Sequence, residues 1–391
     1  MGKRLWVVTE FFYPDETATS HILTEIACHL SEKYDVHVIC GPQSENSETA
    51  SEIGRQVKIH RSNVFRLSKD HLLSRTLSFL LLTLVLSLKL LFRSRREDKV
   101  LVITNPAPLL VVVSLLKKVV RYQMVIMTHD VFPENTIPAG IFRNRQSLIY
   151  KGLVSIFNRS YARADKIVVL GRDMEAVMKS KLAKYHSEAC IRVIPNWADV
   201  KEFLQKDQVD QKYLEIQYAG NVGRVQGIPE FLTCFNEADN KSLAFSIWGG
   251  GANASVVKRL ILECQMQHVS YHGAFIRAEQ ERIIRQCDIC LVSLAEGMYG
   301  LGVPSKSYEI MAVGKPILYI GPRNSEIWLV IEENEIGYCF EPSDRQGIVS
   351  FLQRLSLADR SELRQKGERA REIAENQFKK LIILKEFYEF I

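Results

Sequence analysis

No G-x-G-x-x-G, no G-x-x-x-x-G-K-[ST] and no G-x-S-x-G occurs among the 391 residues. Those absences exclude a dinucleotide fingerprint, a P-loop and the nucleophile elbow of an α/β-hydrolase. No D-x-D occurs either, so a metal site built from paired carboxylates on a nucleotide diphosphate is not expected. Cysteine is sparse. Eight thiols are scattered, and the one close pair, Cys287-x-x-Cys290, lies in an apolar strand-like run with no second pair to complete a zinc site. Reduced, structural thiols and a cytosolic compartment are the expectation. No signal peptide is expected, because the apolar run Leu5-Trp6-Val7-Val8 is cut short by Glu10 and reads as a first strand. Gly 21 and Pro 12 are too few for a low-complexity scaffold.

Long apolar runs are also lacking. The longest, Thr76 to Phe92, has 17 residues with one charge, Lys89. As a helix it would reach roughly 26 Å, short of the ~20 residues a span needs. It reads as a buried core helix, as a helix lying in the headgroup layer, or least readily as a span. Its surroundings are basic. From Arg55 to Arg121 there are 14 Lys and Arg against three acids, a local charge of +11 in a chain of net +6. Bases flanking an apolar helix favour an anionic membrane surface. No nucleic-acid motif or interleaved aromatics accompany them, so nucleic acid is not the expected partner.

What is present is a β/α alternation, twice over. Strand-like runs at Leu5–Thr9, Val36–Cys40, Val100–Thr104 and Gln123–Met127 alternate with helical patterns, and the second half repeats this at Ile216–Ala219, Ala244–Trp248, Ile289–Ser293 and Ile317–Ile320. The fold class expected is α/β, with two doubly wound, Rossmann-like domains facing a cleft. An N-terminal domain over 1–196 carries the membrane-associating region near 61–96. A second domain covers 197–370, and a helical pattern over 371–391 packs back toward the first.

In such sheets ligands bind beyond the strand C-termini, so residues just after strands matter most. After the first strand, Thr17, Thr19 and Ser20 precede a helix, and can cap it or touch a ligand. After the fifth come His129, Asp130 and Glu134, an unusual set for core packing. In the second half, Tyr218 to Gly227 supplies Asn221 and Arg224, and Trp248 is followed by Gly249, Gly250 and Gly251, which allow close backbone approach. The densest stretch is Gly302 to Ile317. Pro304-Ser305 opens a helix, Lys306 sits in its first turn against the dipole, and Glu309 follows on the same face. An anion on Ser305 and Lys306 with a sugar diol on Glu309 is a nucleotide site.

These residues together resemble the retaining glycosyltransferases of the GT-B fold, family 4. The likeness is carried by Tyr13-Pro14, His129-Asp130, Ile194-Pro-Asn-Trp197, Ala219-Gly-Asn221, Trp248-Gly-Gly-Gly251, His272-Gly273 and Pro304-Ser-Lys306 with Glu309. The Pro-Asn-Trp, Gly-Asn and Pro-Ser-Lys-x-x-Glu forms look most like the branch that builds bacterial O-antigen, capsule and colanic acid, including fucosamine-type transferases. The resemblance implies a UDP-sugar donor, with ribose on Glu309, diphosphate on Lys306 and Ser305, and base against Gly273, Phe275 and Ile276. It places His129 near the transferred sugar. It also implies a polyprenyl-diphosphate-linked saccharide acceptor on the first domain, no metal or other cofactor, and a peripheral location on the inner face of the bacterial plasma membrane. Two places depart from the family pattern. Asn221 and Gln226 stand where it has Arg and Lys, and Leu301 stands at the first Glu of its Glu-x7-Glu pair, the nearest carboxylate being Glu296. A UDP-sugar 2-epimerase of the same fold and a non-catalytic partner subunit are the alternatives.

Overall fold

A computed structural model describes residues 3–15, 17–43, 56–62, 72–200 and 212–391. Arg66, Lys69 and most of the polar stretch 198–212 lie outside the described residues.

The first sheet has seven strands in the order β3-β2-β1-β4-β5-β6-β7. These are β1 Arg4–Val8, β2 Asp35–Cys40, β3 Lys58–Arg61, β4 Lys99–Ile103, β5 Gln123–Thr128, β6 Lys166–Val169 and β7 Cys190–Val193. Every neighbouring pair is parallel. The central strands are buried on both faces, which is why Leu5 to Val8 and Val100 to Ile103 read as continuous apolar runs rather than alternating ones. Crossovers are made by α1 Ala18–Leu30, α2 Leu72–Arg93, α3 Ala107–Val120, α4 Leu148–Ala162 and α5 Arg172–Leu182. Thr17 caps α1 by accepting from the Ser20 N–H at 3.1 Å, and Ser147 caps α4 by accepting from Tyr150 at 3.2 Å.

The second sheet has six parallel strands ordered β10-β9-β8-β11-β12-β13. They are β8 Leu214–Ala219, β9 Leu243–Trp248, β10 Val269–Gly273, β11 Ile289–Ser293, β12 Ile317–Ile320 and β13 Gly337–Phe340. Their helices are α6 Ile228–Ala238, α7 Ala254–Glu263, α8 Gln280–Arg285, α9 Lys306–Val313, α10 Glu326–Asn334, α11 Arg345–Arg354 and α12 Arg360–Asn376. Both sheets are doubly wound and each reverses its strand order once, between β1 and β4 and between β8 and β11. Cys287 and Cys290 are buried, with free sulfurs 3.3 Å apart.

One element differs from the sequence reading, and a second has its alternatives narrowed. The helical pattern over 371–391 is divided into α12 and α13 Lys380–Phe390. Between them Phe378 and Lys379 cross the molecule beside Ala198, whose N–H donates to the Phe378 carbonyl at 2.7 Å. Helix α13 then fills the first domain's core with Ile383, Leu384, Phe387 and Phe390. Helix α2 is neither wholly buried nor long and apolar enough to cross a membrane. It buries Leu82, Leu86 and Leu90, with Thr83 and Ser87 among them, and leaves Leu77, Leu80, Leu81, Leu84, Leu88 and Phe92 exposed, so large apolar side chains stand on both of its faces.

The domains are strapped together near the start of α5. Glu326, at the N-terminus of α10, accepts from Arg172 Nε at 3.0 Å, and the Gly300 N–H donates to Asp173 Oδ2 at 3.1 Å. Glu326 is buried, so truncating the Arg172 side chain leaves its carboxylate beside buried Asp173 with the backbone N–H of residue 172 but no cation. Because 42% of the Arg172 side chain faces water, the cost is discounted to about 2 kcal/mol. Arg172→Ala should therefore lower the melting midpoint by several degrees, and Arg172→Lys by less. Equal midpoints for wild type and Arg172→Ala in a calorimetric scan would remove this strap from the account of the fold.

Candidate functional site

The sheets turn their strand C-termini toward one shared cavity of about 420 Å³. Its walls follow β1, β5 and β6 on one side, and β8, β11 and the start of α9 on the other. Both switch points therefore open into the same space.

Helix α9 is set by local signals. Pro304 and Ser305 lead in, and Gly314 ends it with φ +79°, a conformation glycine adopts without a Cβ penalty. The first residue of α9, Lys306, sends its ammonium inward rather than to solvent. Nζ lies 3.6 Å from the centroid of the Tyr218 ring, is buried, and has no hydrogen-bond partner. The Tyr218 hydroxyl is tied to the Asn221 carbonyl at 2.6 Å, which fixes the ring beneath it. A Cβ on Gly249 would overlap the Gly220 carbonyl oxygen, so glycine there is what lets the ends of β8 and β9 close up. Burial pushes Lys306 down to about 7, with the Cys290 thiol acting weakly in the other direction. The ring face contributes a cation–π attraction but no counter-charge.

One turn along, the Glu309 carboxylate accepts from Arg277 Nη2 at 3.3 Å. Arg277 also lies 4.0 Å from Asp199, and Asp199 is 3.5 Å from His21 Nε2 on α1. His21 first, and the more distant Lys380 and Arg277, hold the Asp199 carboxyl below its ordinary range. A chain of polar contacts thus runs from His21 on α1, through Asp199 at the interdomain crossing, to Arg277 and then to Glu309 on α9.

Across the cavity, the backbone N–H groups of His129 and Asp130 both donate to Thr104 Oγ1 at 3.2 Å. The strand end is fixed further by Val131 N–H donating to the Leu301 carbonyl at 3.0 Å and by a bridge between Asp130 and Gly302. His129 Nε2 is buried and without a partner. Burial pushes this imidazole down to about 4 and the Asp130 carboxyl up to about 6. His129 is therefore neutral near neutral pH and can exchange hydrogen bonds with a hydroxyl without adding a charge.

Of the residues singled out from sequence, Thr19, His129, Asp130, Asn221, Phe275, Ser305, Lys306 and Glu309 line the cavity together. The other candidate site residues stand away from the cavity wall. Thr17 is spent as a helix cap, and Ser20, in the first turn of α1, is buried. Glu134 pairs with the buried Lys181 at 2.6 Å. Arg224 and Ile276 are exposed, and Gly249, Gly250 and Gly273 shape the loops behind. His21 and Arg277 line the cavity but carry no motif. The available signal for Arg277 was its place directly after the Gly273 to Ile276 stretch. Gln226 Oε1 and Asn196 Oδ1 are further buried acceptors in the cavity without a partner.

This arrangement makes anion binding depend on the protonation of Lys306. At pH below about 7 the ammonium is already charged, and affinity is flat with respect to this group. Above it the anion must draw a proton onto Lys306, and affinity falls by up to about tenfold per pH unit. Titration of a nucleoside diphosphate between about pH 7.5 and 9, where its phosphates stay ionised, should show that slope. Lys306→Arg, permanently charged, should abolish it. A flat wild-type profile would rule out Lys306 as the anion's partner.

The sequence matches two family models end to end. Residues 20–202 match the model described as Glycosyltransferase Family 4, and residues 199–373 match Glycosyl transferases group 1. The probable glycosyltransferase WbjE of Pseudomonas aeruginosa is 34% identical over 393 residues, covering 98% of this chain and 96% of WbjE. Among solved structures, Anabaena HepE in complex with UDP superposes with a TM-score of 0.69 at 13% identity, covering 99% of this chain and 98% of HepE. WaaG, a glycosyltransferase involved in lipopolysaccharide biosynthesis, superposes with a TM-score of 0.71 at 12% identity, covering 99% of both chains. Two parallel sheets meeting at a shared cavity, matched in fold by these structures and over nearly its whole length by WbjE, make this chain a member of glycosyltransferase family 4 with the GT-B fold.

Proposed function

We propose that the protein transfers a sugar, with retention at the anomeric carbon, from a UDP-sugar to a polyprenyl-linked saccharide during synthesis of a bacterial surface polysaccharide. The observation that carries this reading is the convergence of three groups on one cavity. They are a buried cation without a counter-charge, Lys306; a carboxylate one turn along its helix, Glu309; and a neutral imidazole from the facing domain, His129. A diphosphate supplies the missing counter-charge, and a ribose diol donates to the carboxylate. The fold shared with a UDP-bound structure supports the nucleotide class. The likeness to WcaI of Escherichia coli, a putative colanic acid biosynthesis glycosyl transferase 23% identical over 249 residues, and to WaaG supports the pathway class.

In the proposed step the acceptor hydroxyl oxygen forms the new bond to the anomeric carbon. The bond from that carbon to the donor's phosphate oxygen breaks, and the hydroxyl proton passes to that departing oxygen. Lys306 and the first N–H groups of α9 stabilise the charge that grows on the leaving diphosphate. His129 orients the sugar by hydrogen bonding. This chemistry calls on no metal or other cofactor. Ribose would displace Arg277 from Glu309, leaving the guanidinium facing Asp199. The acceptor enters from the first domain, and the enzyme works in the cytoplasm, peripheral on the inner face of the plasma membrane.

Thermal-shift binding against UDP, GDP, ADP and dTDP, with and without Mg²⁺, tests the donor site. UDP should raise the midpoint regardless of metal, because a ligand that binds only the native state stabilises it. Glu309→Ala and Lys306→Ala should lose that shift. A response to another nucleotide alone would overturn the UDP assignment. No response to any nucleotide would overturn the transferase site. Product anomeric configuration, read by NMR with the purified acceptor, separates retention from inversion.

A further inference from the structure

The apolar surface of the first domain is not confined to α2. Helix α2 packs on α3, and α3 on α4, as one layer against the sheet. At the far side of that layer, the start of α4 and the loop before it expose Leu148 by 86%, Ile149 by 72% and Ile141 by 62%. These three sit among exposed Arg143, Arg145 and Lys151. Across residues 77–163 nine basic side chains are exposed and one acidic, Glu97. Three large aliphatics beside three cations, with almost no anion on the same layer, match the chemistry of a bilayer with anionic headgroups. A protein interface core is instead depleted of lysine, and a nucleic-acid face would add exposed aromatics for stacking.

Position gives the patch its meaning. Strand β5 ends beside the cavity at His129, and the chain then runs through the 131–147 loop into α4. In a parallel β/α unit that helix begins at the strands' C-terminal edge, the edge onto which the cavity opens. The same loop reaches the second domain, with Pro138 against Gly297. We infer that Ile141, Leu148 and Ile149, with Arg143, Arg145 and Lys151, form a second membrane anchor at the cleft rim, binding an anionic phospholipid surface together with α2. Two anchors at separate places on one layer fix orientation, where α2 alone would leave the domain free to rotate about its axis. The cleft rim is thereby held against the bilayer, where a lipid-linked acceptor would be presented. This deepens the acceptor reading above and rests on it only for that last step.

The test is co-sedimentation of the full-length protein with vesicles of phosphatidylglycerol and phosphatidylcholine, and with phosphatidylcholine alone. Wild type should pellet with the anionic vesicles and be released by salt. The double variants Leu148→Asp/Ile149→Asp and Arg143→Glu/Arg145→Glu should each partition at least about tenfold less. Variants of α2 at Leu84 and Leu88 serve as comparison, and UDP-induced thermal shifts on every variant confirm the fold. Wild-type protein that stays in solution overturns the inference. So does pelleting of both double variants at the wild-type level while α2 variants are lost. Light scattering in which Leu148→Asp/Ile149→Asp splits a dimer, with vesicle binding unchanged, would assign the patch to a second copy of the chain. Loss of nucleotide binding with vesicle binding intact would overturn the proposed donor site and leave the anchor standing.

Discussion

A cation that the protein does not neutralise sits at the centre of this molecule. Lys306 is buried at the positive end of α9, over the Tyr218 ring, with no hydrogen bond to its ammonium. Desolvation and the helix dipole both oppose its charge. A stable fold tolerates that conflict when the pressure can be discharged by something that enters. The glycines around β8 and β9, the tethered tyrosine and the inward start of α9 hold the conflict in place. The facing sheet closes the cavity around it. In the proposed donor complex, part of the affinity for the diphosphate is relief of a desolvation cost that the fold already carries.

The carboxylate side of the cavity behaves in the opposite way. Glu309 is engaged by Arg277, and Arg277 is shared with Asp199, which also faces His21 of the other domain. A ligand that takes Glu309 exchanges one partner for another, and the displaced guanidinium has a second carboxylate within reach. Asp199 stands at the crossing between the domains, so any exchange of partner at Glu309 and the geometry of the crossing are joined through one arginine.

Local chemistry was legible in the sequence and long-range pairing was not. Pro304, Ser305, Lys306 and Glu309 lie within six residues on one helix start, so spacing alone brought them to one place. The central strands were legible because burial on both faces leaves unbroken β-branched runs. Glu134 left the site because Lys181, 47 residues away, draws it into an ion pair. Arg277 entered the site through a partner 32 residues away, and no periodicity encodes that contact. Helix α2 was ambiguous for a physical reason: leucines fill both of its faces, so hydropathy could not say which one the sheet covers. The break between α12 and α13 was likewise hidden, because residues 377–379 combine no glycine or proline with the crossing.

Helix α13 has a consequence for the order in which the protein can be made. The first domain is built from both ends of the described chain, with Phe387 and Phe390 packed into the same core as Trp6 and Leu23. A ribosome releases that helix only after the whole second sheet has been synthesised. Until then the first domain waits with an open apolar groove along α1, while the second domain, continuous in sequence, can finish. The N-terminal half is thus the later of the two to mature. It is the half that needs shielding during translation, and the exposed leucines of α2 lie on it as well.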